Sequence, residues 1–199
     1  MLAVLNLTRP GLAPASFSLD RGECVAVRGP SGAGKSLLLR AIADLDPNWG
    51  EVSLDGQPRE QMSAPQWRRR VGYLPAEPGW WADLVGDHFA DWNTARPLVE
   101  RLGLPDEARA WPLTRPSTGE RLRLALVRAL LALPQVLLLD EPTAALDPVG
   151  AAAVEGLIAE RVAGGLAVLW VTHDAAQAGR VARRILVVEG GRTREELPA

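Results

Sequence analysis

Cysteine is nearly absent from these 199 residues: Cys24 is the only one. An intrachain disulfide is therefore excluded, and a reducing compartment fits. Long apolar runs are missing too. The longest, Ala129–Leu139, is broken by Pro134 and falls well short of the ~20 residues that a membrane-spanning helix needs. The opening segment, MLAVLNLTRPG, is too short and too interrupted for a secretion leader. Excess charge of one sign is lacking. The formal net charge is −2, so no global basic field points to nucleic acid or to an acidic membrane. Arginines do cluster at Arg68–Arg70 and Arg121–Arg128, and the first cluster reads best as a solvated face. There is no internal repeat and no low-complexity segment. What remains has ordinary globular balance, 47% hydrophobic and 23% charged, at a length that suits one domain with an inserted subdomain.

The N-terminal segments Leu2–Leu7 and Ser16–Leu19 alternate well enough for strands. Glu23–Arg28 is apolar and β-branched and runs directly into a glycine loop, which an apolar helix, Lys35–Ala43, follows. Glu51–Leu54 with the turn Asp55-Gly56, and then Val71–Leu74, read as further strands. From Pro75 to about Pro116 the character changes: prolines and tryptophans interrupt short helical segments near Asp83–Trp92 and Thr94–Leu102. Leu122, Leu126, Ala129 and Leu130 then recur at helical spacing. Val136–Asp140, Leu166–Thr172 and Arg184–Glu189 are continuous apolar runs, with helical stretches Pro148–Val162 and Asp174–Ala182 between them. Fully apolar strands alternating with helices imply a parallel sheet covered on both faces.

The glycine loop carries the strongest chemical signal. GPSGAGKS, residues Gly29, Pro30, Ser31, Gly32, Ala33, Gly34, Lys35 and Ser36, matches G-x-x-x-x-G-K-[ST] at every fixed position, with a strand before it and a helix after it. Glycines let the backbone curl so that its N–H groups surround phosphate oxygens. Lys35 is expected on the β- and γ-phosphates, and the Ser36 hydroxyl on Mg²⁺. A second piece is VLLLDEP, residues 136–142. A buried strand ending in two carboxylates puts Asp140 at the sheet edge where Mg²⁺ should sit, and Glu141 where it can polarise an attacking water. Alone, such an ending is also what an ordinary charged turn looks like; the phosphate loop favours the catalytic reading. His173 closes the strand LAVLWVT, at the end of the sheet where ligands bind, although a satisfied surface imidazole has the same sequence appearance. His88, in the interrupted region, reads as structural. A further place for an anion is the helix start in PSTGERLRLALVRAL, where small polar residues precede free backbone N–H groups.

Taken in order, GPSGAGKS, STGE, VLLLDEP, AALD and THD resemble the ATP-binding cassette (ABC) ATPase family over nearly the whole chain. The resemblance implies an α/β fold: a P-loop NTPase (RecA-like) core, an N-terminal antiparallel β-subdomain and an inserted helical subdomain. Residues 1–75 and 131–199 would form the core with its β-subdomain, and residues 76–130 the helical subdomain with the signature motif. It also gives the second anion site a use. Two cassettes of this family dock head to tail, and the signature of one caps the ATP held by the phosphate loop of the other. Ser117, Thr118, Gly119 and Glu120 would then face ATP bound to a partner, with Ser117 and the N–H of Gly119 as contacts. Ala145-Leu146-Asp147 would cross the dimer axis, and His173 would sense the γ-phosphate.

Four departures from the family pattern stand out. No aromatic residue follows the first strand to stack on adenine; Leu7-Thr8-Arg9-Pro10 offers only the guanidinium plane of Arg9. Leu37 replaces a hydroxyl residue expected to reach the α-phosphate. Ala76 stands where the family places a glutamine, with Glu77 adjacent. The signature reads Pro-Ser-Thr-Gly-Glu, so Thr118 brings a Cβ to a place of close backbone approach. The central groups Lys35, Ser36, Asp140, Glu141 and His173 remain.

The resemblance further implies MgATP hydrolysis that drives transport through a separate transmembrane permease. The chain would then be cytoplasmic and peripheral on the inner membrane face, with no nucleic acid involved. The alternative is an ATP-dependent dimerising switch with weak hydrolysis. A phosphoryl-transferring kinase leaves STGE and AALD without a use. The short insert and the end soon after Glu189 suggest a single-cassette subunit without a regulatory domain. Within the family, LAVLWVTHD, GWWADLVGDHFADW and STGERLRLALVRAL look most like iron-export cassettes, with haem-export and amino-acid or thiamine import cassettes as near rivals. Gly79–Leu84 lies where the family receives its membrane partner, so Trp80 and Trp81 are either interface anchors or the subdomain's own core.

Overall fold

Short apolar segments and their turns build two sheets. The computed structural model describes residues 1–196. From the N-terminus, β1 (Leu2–Arg9) and β2 (Leu12–Leu19) form a hairpin closed by Pro10-Gly11, and β3 (Cys24–Arg28) leads into the phosphate loop and α1 (Lys35–Ile42). Next come β4 (Trp49–Leu54), β5 (Gln57–Pro58), α2 (Ala64–Arg70) and β6 (Val71–Leu74). The inserted region opens with a 3₁₀ turn at Val85–His88 and holds α3 (Trp92–Arg101) and α4 (Thr118–Leu131), joined through a second 3₁₀ turn at Asp106–Ala110. The chain then alternates: β7 (Val136–Asp140), α5 (Pro148–Ala163), β8 (Ala167–Val171), α6 (Ala175–Val181), β9 (Arg184–Glu189) and β10 (Arg192–Glu196).

The first sheet is antiparallel, in the order β2-β1-β4-β5; the second runs β10-β9-β3-β8-β7-β6. All pairings in the second are parallel except β10 with β9. Every residue of β7 and β8 is buried, as their unbroken apolar runs require when helices cover both faces. One apolar core lies between the first sheet, α1 and one face of the parallel sheet, and includes Trp67, whose Nε1 donates to the carbonyl of Ile42 over 2.8 Å. The other lies on the opposite face and continues into the inserted helices through Trp92, Val99, Leu122 and Leu126. This is the P-loop core with its β-subdomain and helical insertion.

The structure differs from the sequence expectation in three places. Asp83–Trp92 is not a helix: His88 Nε2 accepts from the backbone N–H groups of Trp81 and Ala82, at 2.9 and 3.1 Å, and holds the segment as a loop with one 3₁₀ turn. Helix α2 forms between β5 and β6, where no element was expected, started by a capping box between Ser63 and Gln66. Strand β10 is polar and exposed and is held in register by a hairpin turn at Gly190-Gly191, both with positive φ. No helix among the described residues is long and apolar enough to cross a membrane.

Candidate functional site

The parallel strands set the site. Strand β8 lies between β3 and β7, so the phosphate loop, the Asp140-Glu141 pair and His173 all leave the same C-terminal edge of the sheet. Backbone hydrogen bonds fix the strand ends: Thr172 N donates to Val27 O and Glu141 N to Val171 O, each at 3.2 Å.

Gly29, Gly32 and Gly34 have φ of 148°, 76° and 105°. A Cβ on Gly29 would lie 1.9 Å from the carbonyl oxygen of Val188, so no other residue fits there. The loop ends at Gly34, which caps α1 without a side-chain acceptor and leaves the first N–H groups of that helix facing outward. Lys35 is the single lysine of the chain and is buried, with Nζ donating to the carbonyls of Gly29 and Pro30 at 2.9 and 3.0 Å. Ser31, Gly32, Gly34, Lys35, Ser36 and Leu37 line one cavity of about 290 Å³, and Glu141 lines it with them.

Asp140 is 5% exposed, and its Oδ2 accepts from the hydroxyl of Tyr73 at 3.1 Å. Burial, with the neighbouring Asp140 charge, pushes the Tyr73 hydroxyl well above its ordinary pKa, so it stays a donor. Tyr73 was not identified from the sequence. It sits on β6, 67 residues away, and only the pairing of β6 with β7 brings it there. Glu141 adopts a left-handed backbone, φ 51°, at a cost of about 1–2 kcal/mol for a non-glycine residue. That turn swings its carboxylate across the sheet edge, where Oε2 lies 3.4 Å from Nδ1 of the exposed His173.

The signature residues sit apart from this cluster, at the start of α4. Ser117 Oγ accepts from Glu120 N at 3.2 Å, and Glu120 Oε2 accepts from Ser117 N at 2.7 Å. These bonds, that from the Ser117 backbone foremost, hold the Glu120 carboxyl below its ordinary range. Ser117 and Thr118 are exposed, whereas Gly119 is buried against the AALD loop: a Cβ there would lie 2.7 Å from the carbonyl of Ala145. Asp147 caps α5, its Oδ1 accepting from Gly150 N at 2.7 Å. The start of α4 thus packs on the loop that follows Glu141, with Ser117 and Thr118 left at the surface.

A model of the ABC transporter family matches residues 12–144. The chain belongs to the ABC transporter family. Its ATP-binding cassette fold agrees. A solved structure described as the ATP-binding subunit of an ABC transporter superposes with a TM-score of 0.89 at 26% identity, covering 99% of this chain and 90% of that one. The dimeric cassette MJ0796, bound to ADP and Pi, shares the fold alone, at TM-score 0.84 and 24% identity over 100% and 99% of the two chains. Among curated relatives, the aliphatic sulfonates import ATP-binding protein SsuB 3 of Rhodococcus jostii is 39% identical over 90% of this chain and 66% of its own length. The SsuB of Cupriavidus necator is 39% identical over 86% of this chain and only 58% of its own length. The phosphonates import ATP-binding protein PhnC of Trichormus variabilis is 35% identical over 94% and 85% of the two chains.

These ABC relatives are import proteins by name, so the expected likeness to iron-export cassettes gives way to a likeness to sulfonate and phosphonate import cassettes. The physical reason lies in the segments that suggested export. LAVLW is interior strand β8, and GWWADLVGDHF is organised by His88 inside the helical subdomain; both report packing. The departures also take physical form. Arg9 is bound to Asp46, which Arg40 also grips at 2.6 and 2.7 Å, so its guanidinium is held in place at the end of β1. A methyl of Leu37 lies near Gly11 of the β1-β2 turn. Ala76 and Glu77 are both exposed in the loop after β6.

Proposed function

We propose that this chain is the ATP-binding and hydrolysing subunit of an ABC transporter, working as a head-to-tail pair of cassettes. The observation that carries the reading is Glu141: a strained carboxylate that lines the same cavity as Lys35 and Ser36 and faces His173.

Gly29–Ser36 wrap the ATP phosphates with backbone N–H groups, and the Lys35 ammonium neutralises the terminal phosphates. Leu37 lies next in the loop and adds an apolar contact. The donor set offered to a metal is hard oxygen, the Ser36 hydroxyl and the Asp140 carboxylate, which suits Mg²⁺. Tyr73 holds one oxygen of Asp140 by donating to it, which orients the other. Bound there, Mg²⁺ would supply charge neutralisation on the phosphates. Glu141 orients the attacking water and accepts its proton, and His173 supports the γ-phosphate and Glu141 together. Ser117, Thr118, Gly119 and Glu120 close the partner's site, with Asp147 at the shared axis. Residues 1–75 and 131–199 act as the catalytic core, and 76–130 as the arm that carries the signature.

Trp81 is 71% exposed, while Trp80 packs on the core. Both are braced by Arg128 and His88. We assign Trp81 as the anchor for a transmembrane permease, which places the chain peripherally on the cytoplasmic face. The relatives' names favour import of a small organic anion, with the permease choosing the cargo.

Glu141→Gln tests the reading directly: hydrolysis should fall by about 10²-fold or more while ATP binding persists. An unchanged rate would remove Glu141 from its role. A second reading, a dimerising switch with weak hydrolysis, is favoured by Arg9 being tied to Asp46 and by Ala76 carrying no polar group.

A further inference from the structure

The site just described rests on two loops from different strands. Residues 141–147 leave β7 with Glu141 and Asp147, and residues 172–174 leave β8 with His173. Backbone bonds join only their roots, through Glu141 N and Val171 O. Farther out, the first loop folds on itself, with Ala144 N donating to Glu141 O and Leu146 N to Thr143 O.

One buried side chain bridges the gap. Gln177, in the first turn of α6, is 5% exposed. Its Nε2 donates to Thr143 Oγ1 and to Glu155 Oε1, both at 2.8 Å, and its Oε1 accepts from Trp170 Nε1 at 3.3 Å. A single amide thus reaches the Glu141 loop, helix α5 behind Asp147, and strand β8 ahead of His173. Both of its ends are secured. Asp174, beside His173, caps the Gln177 turn through Ala176 N and Gln177 N at 2.8 and 3.2 Å. Arg180 grips Glu155 at 2.9 and 3.0 Å. Gln177 and Thr143 line a cavity of about 500 Å³ together with Glu141 and His173.

We propose that Gln177 is a positioning residue that ties the His173 loop to the Glu141 loop, so that displacement of one is transmitted to the other. The inference rests on the hydrolase reading above. The carboxamide is the group required, because it donates and accepts at once. A carboxylate at this position would face Glu155 at hydrogen-bond distance with like charge. An isosteric leucine would leave Thr143, Trp170 Nε1 and Glu155 each short of a buried partner.

Three variants test it: Gln177→Leu, Gln177→Glu, and Gln177→Glu combined with Glu155→Gln, which exchanges donor and acceptor. Steady-state ATP hydrolysis is measured beside amide hydrogen exchange across residues 143–147. In both single variants kcat should drop about tenfold with KM for ATP within about twofold, and exchange at 143–147 should quicken by about tenfold. The double variant restores the bond between positions 177 and 155 but gives up one of the two from Arg180, and should recover both in part. Native exchange rates at 143–147 in Gln177→Leu would overturn the tether, as would a single variant that hydrolyses at the wild-type rate. A wild-type protein that binds ATP and never hydrolyses it would instead overturn the hydrolase reading, and the exchange data would still decide the tether.

Discussion

Nδ1 of His173 lies 3.4 Å from Oε2 of Glu141, across the gap between two parallel strands. Neither residue reaches the other through its own loop alone. The left-handed turn at Glu141 and the register of Asp140 beside Val171 bring them face to face. His173→Ala should therefore retain ATP binding and lose about 10²-fold in kcat, the range for losing a positioned group at a proton-transfer site. Single-turnover hydrolysis with bound nucleotide quantified in parallel separates the two effects.

Among the described residues, the Tyr73 hydroxyl is the one side-chain donor on Asp140. Tyr73→Phe removes that bond and keeps the ring. The Mg²⁺ concentration for half-maximal hydrolysis should rise about tenfold, the usual cost of losing a partner behind a metal ligand. A magnesium titration of the initial rate checks this. An unchanged midpoint would mean that Asp140 is oriented without Tyr73.

Gly119 is a packing requirement as well as a signature residue. A Cβ placed 2.7 Å from Ala145 O and 3.0 Å from a Leu146 methyl would push the start of α4 away from the AALD loop. Gly119→Ala should cost about 1–3 kcal/mol of stability, as overpacking of a tight contact does. Chemical denaturation gives that figure, and ATP-dependent dimerisation should weaken with it.

Asp46 joins β1 to α1 by accepting from Arg9 and Arg40. The Arg40 hydrogen bonds foremost hold its carboxyl at about 2, below its ordinary 3.8. A lowered carboxyl stabilises the fold above its unfolded value and loses that contribution as pH falls through the folded one. Stability should drop by up to about 2 kcal/mol between pH 4 and 2 on this account. Asp46→Asn should be less stable at pH 7 and flatter across that acid window, measured by urea midpoints.

The two adjacent tryptophans should part company. Trp81→Ala, at an exposed site, should leave stability within about 0.5 kcal/mol and weaken capture of the permease. Trp80→Ala, at a site packed on the core, should cost about 2 kcal/mol. Thermal melts and co-purification with the membrane subunit distinguish them.

Where chemistry demands a contiguous backbone, the sequence already displays it. The phosphate loop was legible because Gly29 tolerates no Cβ and Gly34 must sit at positive φ. The strand ending in Asp140-Glu141 was legible because a strand buried on both faces has to be apolar throughout. Contacts between distant segments left no such mark. Tyr73 meets Asp140 across 67 positions, Gln177 meets Thr143 across 34, and Arg9 meets Asp46 across 37. Each pair is ordinary polar residues until the sheet order is known. The helix expected at Asp83–Trp92 failed for the same reason, since His88 holds the Trp81-Ala82 backbone by tertiary hydrogen bonds.

The central claim is that one chain carries half of each of two ATP sites. The direct measurement is the solution mass of the Glu141→Gln variant with and without MgATP. The account predicts a monomer without nucleotide and a dimer with it, because Ser117 and Gly119 do not line the Lys35 cavity and on the proposed reading close a partner's site instead. A monomer in both conditions, with ATP bound, would contradict the two-chain site; failure to bind ATP at all would contradict the account at its root.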